Sequence, residues 1–181
     1  NNNSSTYQSP NKASSTRGAK RDPRGIVLPI NPKYSFSNFI VGSSNQLAYT
    51  VAETIAKEPG KRYNPLFIYG GAGLGKTHLM QAVANAILQS HPDKNVVYTS
   101  TQTYVNDFLE SIRNKATSNF NETYNNADVL VIDDIQFIAG KDKTMEEFFH
   151  TFNILHQNNK QIILSADQPP RSIPTLPDRL R

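Results

Sequence analysis

The 181-residue sequence contains no cysteine, which excludes disulfide bonds and thiolate metal sites. Its four histidines lie at scattered positions (78, 91, 150 and 156) that do not match the spacing of metal ligands. The chain also lacks an apolar run of 18 residues and the apolar core of a secretory signal peptide. We therefore expect a soluble, cytoplasmic protein.

Most of the chain also lacks an excess of either charge. Residues 1–30 carry five basic side chains and one acidic side chain, whereas residues 31–181 carry 14 of each sign. The pI near 9.3 is therefore a property of the first 30 residues and does not indicate a nucleic-acid-binding domain. Because these 30 residues are rich in Asn, Ser, Thr, Gly and Pro, we predict a disordered basic linker followed by one domain from 31 to 181.

Short apolar runs alternate with helical patterns after residue 31. Four continuous apolar runs predict buried strands at 66–69, 95–100, 128–133 and 161–166. Helices are expected near 44–57, 76–89, 102–113, from there to about 124, and 144–157, the last beginning with a capping box formed by Thr144 and Glu147. In this last helix, the apolar face of Phe148, Phe149, Phe152 and Leu155 predicts core packing. The alternation predicts an α/β fold, with a parallel sheet covered by helices on both faces.

A phosphate-binding loop follows the first predicted strand. Gly70, Gly75, Lys76 and Thr77 match the pattern G-x-x-x-x-G-K-[ST] between a strand and a helix. In such loops backbone N–H groups surround the phosphates, the lysine reaches the outer phosphates and the hydroxyl binds Mg²⁺. The alternative is a purely structural glycine-rich turn. The predicted nucleotide-binding residues here are Gly71, Gly73, Leu74, Gly75, Lys76, Thr77 and His78, and Lys76 is also predicted to act in catalysis.

Two adjacent carboxylates, Asp133 and Asp134, end the third predicted strand. Because the carboxyl ends of parallel strands face the nucleotide crevice, Asp133 is expected to hold Mg²⁺ and Asp134 to orient or deprotonate the attacking water. The alternative for Asp134 is a loop-capping role. The fourth strand ends near Ser165 and Asp167; if it lies between the other two motifs, one of them senses the γ-phosphate. We favour Asp167 over an ordinary turn-forming aspartate.

Five blocks of sequence together resemble one family, the bacterial chromosomal replication initiators of the DnaA type. They are NPKYSFSNFIVGSSNQLAYTVAETIA, YNPLFIYGGAGLGKTHLMQAVAN, VLVIDDIQFIAGKDKTMEEFFHTFN, QIILSADQPP and LPDRLR, which together span nearly all of residues 31–181. The resemblance implies a P-loop NTPase fold of the AAA+ type that binds ATP and Mg²⁺. It also implies slow hydrolysis and ATP-dependent self-assembly on origin DNA, which leads to duplex melting and helicase recruitment. Acidic phospholipids are a further implied partner.

The resemblance also assigns residues that spacing does not reveal. It places the adenine pocket at Phe39, Ile40, Val41 and Asn45, single-stranded DNA contacts at Leu109, Lys141 and Lys143, and a subunit contact at Arg179. The helical pair at 102–124 is similar to an insertion that spaces protomers into a spiral. Lys143 replaces an arginine that many relatives have, so bidentate phosphate binding is not expected there. Without the resemblance, the lysines belong to an ordinary solvated loop.

The resemblance further implies that the last strand of the sheet, the helical lid and the arginine finger lie beyond residue 181. On this basis we expect weak ATP binding and almost no hydrolysis from this chain alone. Three alternatives remain open from the sequence: a helicase loader or regulatory paralogue with the same ATPase motifs, a P-loop kinase acting on a small molecule, and a nucleotide-dependent switch without catalysis.

Overall fold

The computed structural model of the protein describes residues 28–174, 176 and 180. The helices are α1 (Gln46–Lys57), α2 (Lys76–Ser90), α3 (Thr101–Arg113), α4 (Thr117–Asn125) and α5 (Asp142–Gln157). The strands are β1 (Leu66–Tyr69), β2 (Val96–Ser100), β3 (Val129–Asp133) and β4 (Gln161–Ala166). Short 3-10 turns lie at Phe36–Asn38, Ile135–Ile138 and Pro170–Ser172. No helix in these described ranges combines the length and apolar character needed to cross a membrane.

The four strands form one parallel sheet in the order β1-β4-β3-β2. The alternation of strands and helices in the sequence therefore gives the predicted α/β fold. Strand β4 lies between β1, which leads into the phosphate loop, and β3, which ends at Asp133. This is the arrangement that a sensing role at the end of β4 requires.

Helices cover both faces of the sheet, as predicted, because alternate strand residues point to opposite sides. On one face Leu130 and Ile162 pack with aromatic residues of α3, α4 and α5. On the other face Val131 and Ile163 pack with α1 and α2. The predicted core face of α5 is confirmed: Phe148, Phe152 and Leu155 are buried, and Phe149 packs against the same cluster.

The predicted start of α5 is wrong. The helix begins at Asp142 rather than Thr144, and Thr144 lies buried in the first turn instead of capping it. A carboxylate near a helix N-terminus is favourable because the exposed N–H groups there carry partial positive charge. Asp142 supplies this charge, so the helix starts two residues earlier and no Thr144–Glu147 capping box forms.

Packed structure extends to Leu28, three residues before the predicted domain boundary. The Leu28 N–H donates to the Tyr98 carbonyl over 3.0 Å, and Leu28 and Ile30 both pack against the α1 and α2 side of the core. The rest of the predicted disordered linker, residues 1–27, lies outside the described residues, as does Arg179.

Candidate functional site

The loop between β1 and α2 has the backbone conformation of a phosphate-binding turn. Gly73 and Gly75 have φ values of +76° and +87°, in the left-handed region that side chains disfavour. A Cβ on Gly75 would also lie 3.2 Å from Phe39 Cε2. Helix α2 begins at Lys76, immediately after Gly75, and no side-chain cap is present at this N-terminus in the described structure. Its first-turn N–H groups are therefore able to bind an anion.

The Lys76 ammonium group lies against this loop. Its Nζ atom donates to the carbonyl oxygens of Gly70 and Gly71 over 2.6 and 2.8 Å. These contacts keep a positive charge within the turn that the glycines form. The predicted role of Lys76 in binding the outer phosphates requires its ammonium group to lie within this loop.

The Asp133 carboxylate joins the phosphate loop to the centre of the sheet. It is only 6% exposed, and Thr77 Oγ1 donates to its Oδ2 atom over 2.5 Å. Ser165 Oγ donates to Oδ1 through a short hydrogen bond, and Tyr98 OH lies 3.5 Å from Oδ2. Burial and the nearby Asp133 carboxylate raise the pKa of Tyr98 to about 12, so this phenol keeps its proton. Hydroxyl groups, rather than a lysine or arginine, thus surround the buried charge.

Asp134 has a left-handed backbone, with φ +59° and ψ +52°. Its N–H donates to Ser165 Oγ over 2.9 Å, and its side chain is partly exposed. Gln136 Nε2 approaches Asp134 Oδ1 at 3.4 Å, and the Asp134 side chain does not cap the 3-10 turn that follows. The Asp134 carboxylate thus has a different hydrogen-bond partner from that of Asp133, and its role toward the attacking water stays a prediction.

At the end of β4, Ser165 rather than Asp167 contacts the two aspartates. Ser165 is fully buried, whereas Asp167 is exposed just beyond the strand. Sequence reasoning considered both residues and favoured Asp167, whose role as a sensor stays a prediction. The sequence could have favoured Ser165 because it lies within the predicted strand. A side chain in a strand points to a defined face of the sheet, whereas one past the end of the strand does not.

The predicted adenine segment lies beside the phosphate loop. The Phe39 ring packs against His78 and Tyr49, with ring centroids 5.3 and 5.8 Å away. Asn45 holds the next turn, accepting from the Gly42 N–H and donating to the Ile40 carbonyl. Within this turn Ile40 is 88% exposed and Val41 is 38% exposed. Two apolar side chains are thus available for contact beside the loop.

The predicted DNA residues lie on the opposite side of the sheet from α1 and α2. Lys141 precedes α5 and donates from Nζ to the Phe137 carbonyl over 2.6 Å. It lines a shallow cavity of about 340 Å³ together with Phe137 and with Gln102, Val105 and Asn106 of α3. Leu109, one turn further along α3, is half-exposed, and Lys143 is exposed in the first turn of α5. The structure therefore brings α3 and the start of α5 together.

A model of the bacterial DnaA ATPase domain matches residues 30–181 of this chain. The chain belongs to the bacterial DnaA family. Domain III of the Thermotoga maritima replication initiation protein DnaA is 47% identical, with a TM-score of 0.80 over 84% of this chain and 64% of that one. AMPPCP-bound DnaA from Aquifex aeolicus is 42% identical, with a TM-score of 0.79 over 83% of this chain and 47% of that one.

This DnaA-family chain thus spans about half to two-thirds of the length of these relatives. A replication initiator DnaA bound to AMPPCP and single-stranded DNA is also 42% identical to it. The DnaC helicase loader matches with a TM-score of 0.67 at 20% identity, which shows a shared fold only. The fold is therefore the AAA+ type of P-loop NTPase, as the sequence predicted, and family membership favours the initiator over the loader and the kinase.

Proposed function

We propose that this chain is the ATP-binding part of a replication initiator that assembles on single-stranded origin DNA. One observation carries the proposal: the Thr77 hydroxyl of the phosphate loop donates directly to the buried Asp133 carboxylate. This contact joins the two motifs that nucleotide hydrolysis needs at one edge of the sheet. Relatives described with AMPPCP, and with AMPPCP and single-stranded DNA, support the choice of ligands.

Thr77 and Asp133 fit Mg²⁺ as the metal. Both supply oxygen atoms, which Mg²⁺ prefers, and it is commonly held by one or two carboxylates together with substrate phosphates. No group of three or more His, Cys, Asp or Glu side chains suited to a metal occurs in the part of the chain that the structure describes. The protein therefore contributes few ligands, as expected for a metal that arrives with a nucleotide. When bound, the ion neutralises charge on the β- and γ-phosphates.

The remaining residues of the site have separate tasks in this proposal. Lys76 binds the outer phosphates, Asp134 orients the attacking water and Asp167 senses the γ-phosphate. Hydrolysis is slow and limits the lifetime of the assembled state. The chain alone turns over little ATP.

The DNA-binding part of the proposal rests on the surface formed by Leu109, Lys141 and Lys143. The two exposed lysines suit the phosphates of a nucleic-acid strand, and the exposed part of Leu109 on α3 suits its apolar groups. The proposal includes self-assembly in the ATP-bound state, with Arg179 at the subunit contact; the resemblance to DnaA initiators supports it. The proposal also includes contacts with the replicative helicase and with acidic phospholipids, and a cytoplasmic location.

Calorimetric titration of the chain with ATP and Mg²⁺ tests the nucleotide site. Lys76→Ala should weaken ATP binding by roughly tenfold or more, because it removes hydrogen bonds from a charged donor. Asp133→Ala should remove the dependence of binding on Mg²⁺. Asp93→Ala, which alters an exposed carboxylate away from the site, is the control and should change neither. Equal ATP affinity in the wild type and Lys76→Ala would refute the assignment.

A further inference from the structure

Helix α2 directs three polar side chains toward the segment that precedes the predicted adenine pocket. His78, Gln81 and Asn85 are spaced by three and four residues, so they lie on one face of the helix. The segment Asn31–Phe39 runs along this face. Sequence reasoning assigned His78 to the nucleotide and gave no role to Gln81 or Asn85.

Each of the three side chains hydrogen-bonds the main chain of the segment. Gln81 Oε1 accepts from the Asn31 N–H over 2.7 Å. Asn85 Nδ2 donates to the carbonyl oxygens of both Asn31 and Tyr34, over 2.9 and 2.8 Å. His78 Nε2 lies 2.9 Å from the Ser35 carbonyl, to which it donates. Because the partner atoms are backbone atoms, these contacts fix the path of the segment itself.

Aromatic packing continues the attachment to the phosphate loop. The Tyr34 ring stacks on His78, with centroids 4.9 Å apart and an interplanar angle of 24°. The Phe39 ring meets the same imidazole edge-on, and its Cε2 atom lies against Gly75. The segment thus runs from the middle of α2 to its N-terminus, where Ile40 and Val41 follow Phe39.

We propose that His78, Gln81 and Asn85 are positioning residues. By holding the segment at 31–39, they set the base-binding residues at its end and just after it at a fixed distance from the phosphate loop. This inference rests on the proposed function, in which Phe39, Ile40, Val41 and Asn45 contact adenine. The same helix begins at the phosphate loop and holds the segment, so one rigid element places both ends of the nucleotide. A segment held in advance does not need to be ordered when the base binds, which strengthens binding.

The positioning role should affect binding of the base but not binding of the phosphates. Inorganic tripolyphosphate, which has no base, measures phosphate binding alone. Asn85→Ala should weaken ATP binding by about tenfold, since two hydrogen bonds to the segment are lost. The preference for ATP over GTP should shrink, whereas affinity for tripolyphosphate with Mg²⁺ should stay unchanged. Asn85→Asp, which has nearly the same shape, should weaken ATP binding further because it directs a carboxylate at two carbonyl oxygens.

Gln89→Ala, an exposed position near the end of α2, is the matched control and should bind all three ligands as the wild type does. Tyr34→Ala removes the stack on His78 from the segment side and should reproduce the pattern of Asn85→Ala. Circular dichroism shows whether the Asn85 variants fold. If they do not, Tyr34→Ala tests the proposal in their place. Equal loss of ATP and tripolyphosphate binding, or unchanged ATP affinity in folded variants, overturns the proposal.

The same titrations distinguish this inference from the function on which it rests. A wild-type chain that binds neither ATP nor tripolyphosphate contradicts the proposed nucleotide site. A wild-type chain that binds both, but does not distinguish ATP from GTP, contradicts the base-binding segment and with it the positioning role. Loss of discrimination in the Asn85 variants, against a discriminating wild type, supports the inference.

Discussion

At the level of single residues, the buried Asp133 carboxylate is bound by hydroxyl groups from three different elements. Thr77 comes from the phosphate loop, Ser165 from β4 and Tyr98 from β2. A buried charge without partners would cost several kcal/mol. The three hydroxyl donors offset part of this cost and so stabilise the buried carboxylate. Since hydroxyls can also rotate to serve as ligands, the arrangement suits a site where a metal and phosphates bind.

Ser165→Ala tests this arrangement. The substitution removes the donor to Asp133 and the acceptor for the Asp134 N–H, in a fully buried place. The Asp134 N–H also helps hold a left-handed backbone that costs about 1 kcal/mol for a residue with a side chain. We expect the free energy of unfolding, measured in urea, to fall by roughly 1–3 kcal/mol.

The control is Ser172→Ala, at an exposed serine of the last 3-10 turn, which should leave the free energy of unfolding nearly unchanged. A loss below about 0.5 kcal/mol in Ser165→Ala would show that the two contacts contribute little. Thr77 and Tyr98 would then be the side-chain donors that hold the Asp133 carboxylate.

At the level of elements, the ends of β3 and β4 opposite the nucleotide site are joined by an ion pair. Lys160 Nζ lies 2.6 Å from Asp128 Oδ1, and the Asn95 N–H donates to Asp128 Oδ2 over 2.8 Å. Burial on its own raises the pKa of the Asp128 carboxyl. The hydrogen bonds from Lys160 and Asn95 outweigh burial and hold this pKa below its ordinary value.

Asp128→Asn should therefore destabilise the protein in a pH-dependent way. A lowered folded-state pKa contributes stability above the unfolded value of about 3.9, and this contribution is lost as the pH falls through the folded pKa. We expect a loss on the order of 1 kcal/mol at pH 7 that shrinks as the pH falls below the unfolded value and disappears once the carboxyl is protonated in the folded protein. Urea unfolding at several pH values measures the difference.

Glu58→Gln is the matched control, because the Glu58–Lys61 pair is 3.1 Å long but both side chains are at least half exposed. Such surface pairs contribute little, so the variant should match the wild type at every pH. A difference between wild type and Asp128→Asn that stays constant with pH would show that the ion pair is not its source.

The elements themselves were largely predictable from the sequence, whereas contacts between distant segments were not. Strand β3 and the Gly75-Lys76-Thr77 loop follow from local patterns, because apolar runs and glycine positions reflect local backbone needs. The contact of Ser165 with Asp133, and that of Asn85 with Asn31, depend on how separate elements pack. A local pattern contains no information about that packing. The adenine-binding role of Phe39 came from the family resemblance and stays a prediction, while the structure shows its ring against His78 and Gly75.

At the level of the whole molecule, the sheet separates two surfaces. Helices α1 and α2 cover the side that carries the segment held by α2, and α3, α4 and α5 cover the other side. One short segment, from Asp133 to Lys143, connects the nucleotide site with the proposed DNA surface. A change in the backbone at Asp134 therefore has a direct covalent route to Lys141.

If Lys141 and Lys143 contact DNA phosphates, the affinity for single-stranded DNA should depend on the salt concentration. Each lysine that neutralises one phosphate of a single strand contributes about 0.7 to the slope of log affinity against log salt concentration. Lys141→Ala with Lys143→Ala should therefore reduce this slope by roughly 1.4 in the ATP-bound protein, measured by fluorescence anisotropy with single-stranded DNA. Leu109→Ala should weaken binding at every salt concentration without changing the slope, because an apolar contact releases no counterions.

Lys57→Ala is the matched control for charge, since this exposed lysine ends α1 on the other side of the sheet. It should keep both the affinity and the slope of the wild type. If the double variant keeps the wild-type slope, the two lysines do not contact phosphates and belong to an ordinary solvated loop. If Lys57→Ala lowers the slope equally, binding depends on overall charge rather than on this surface.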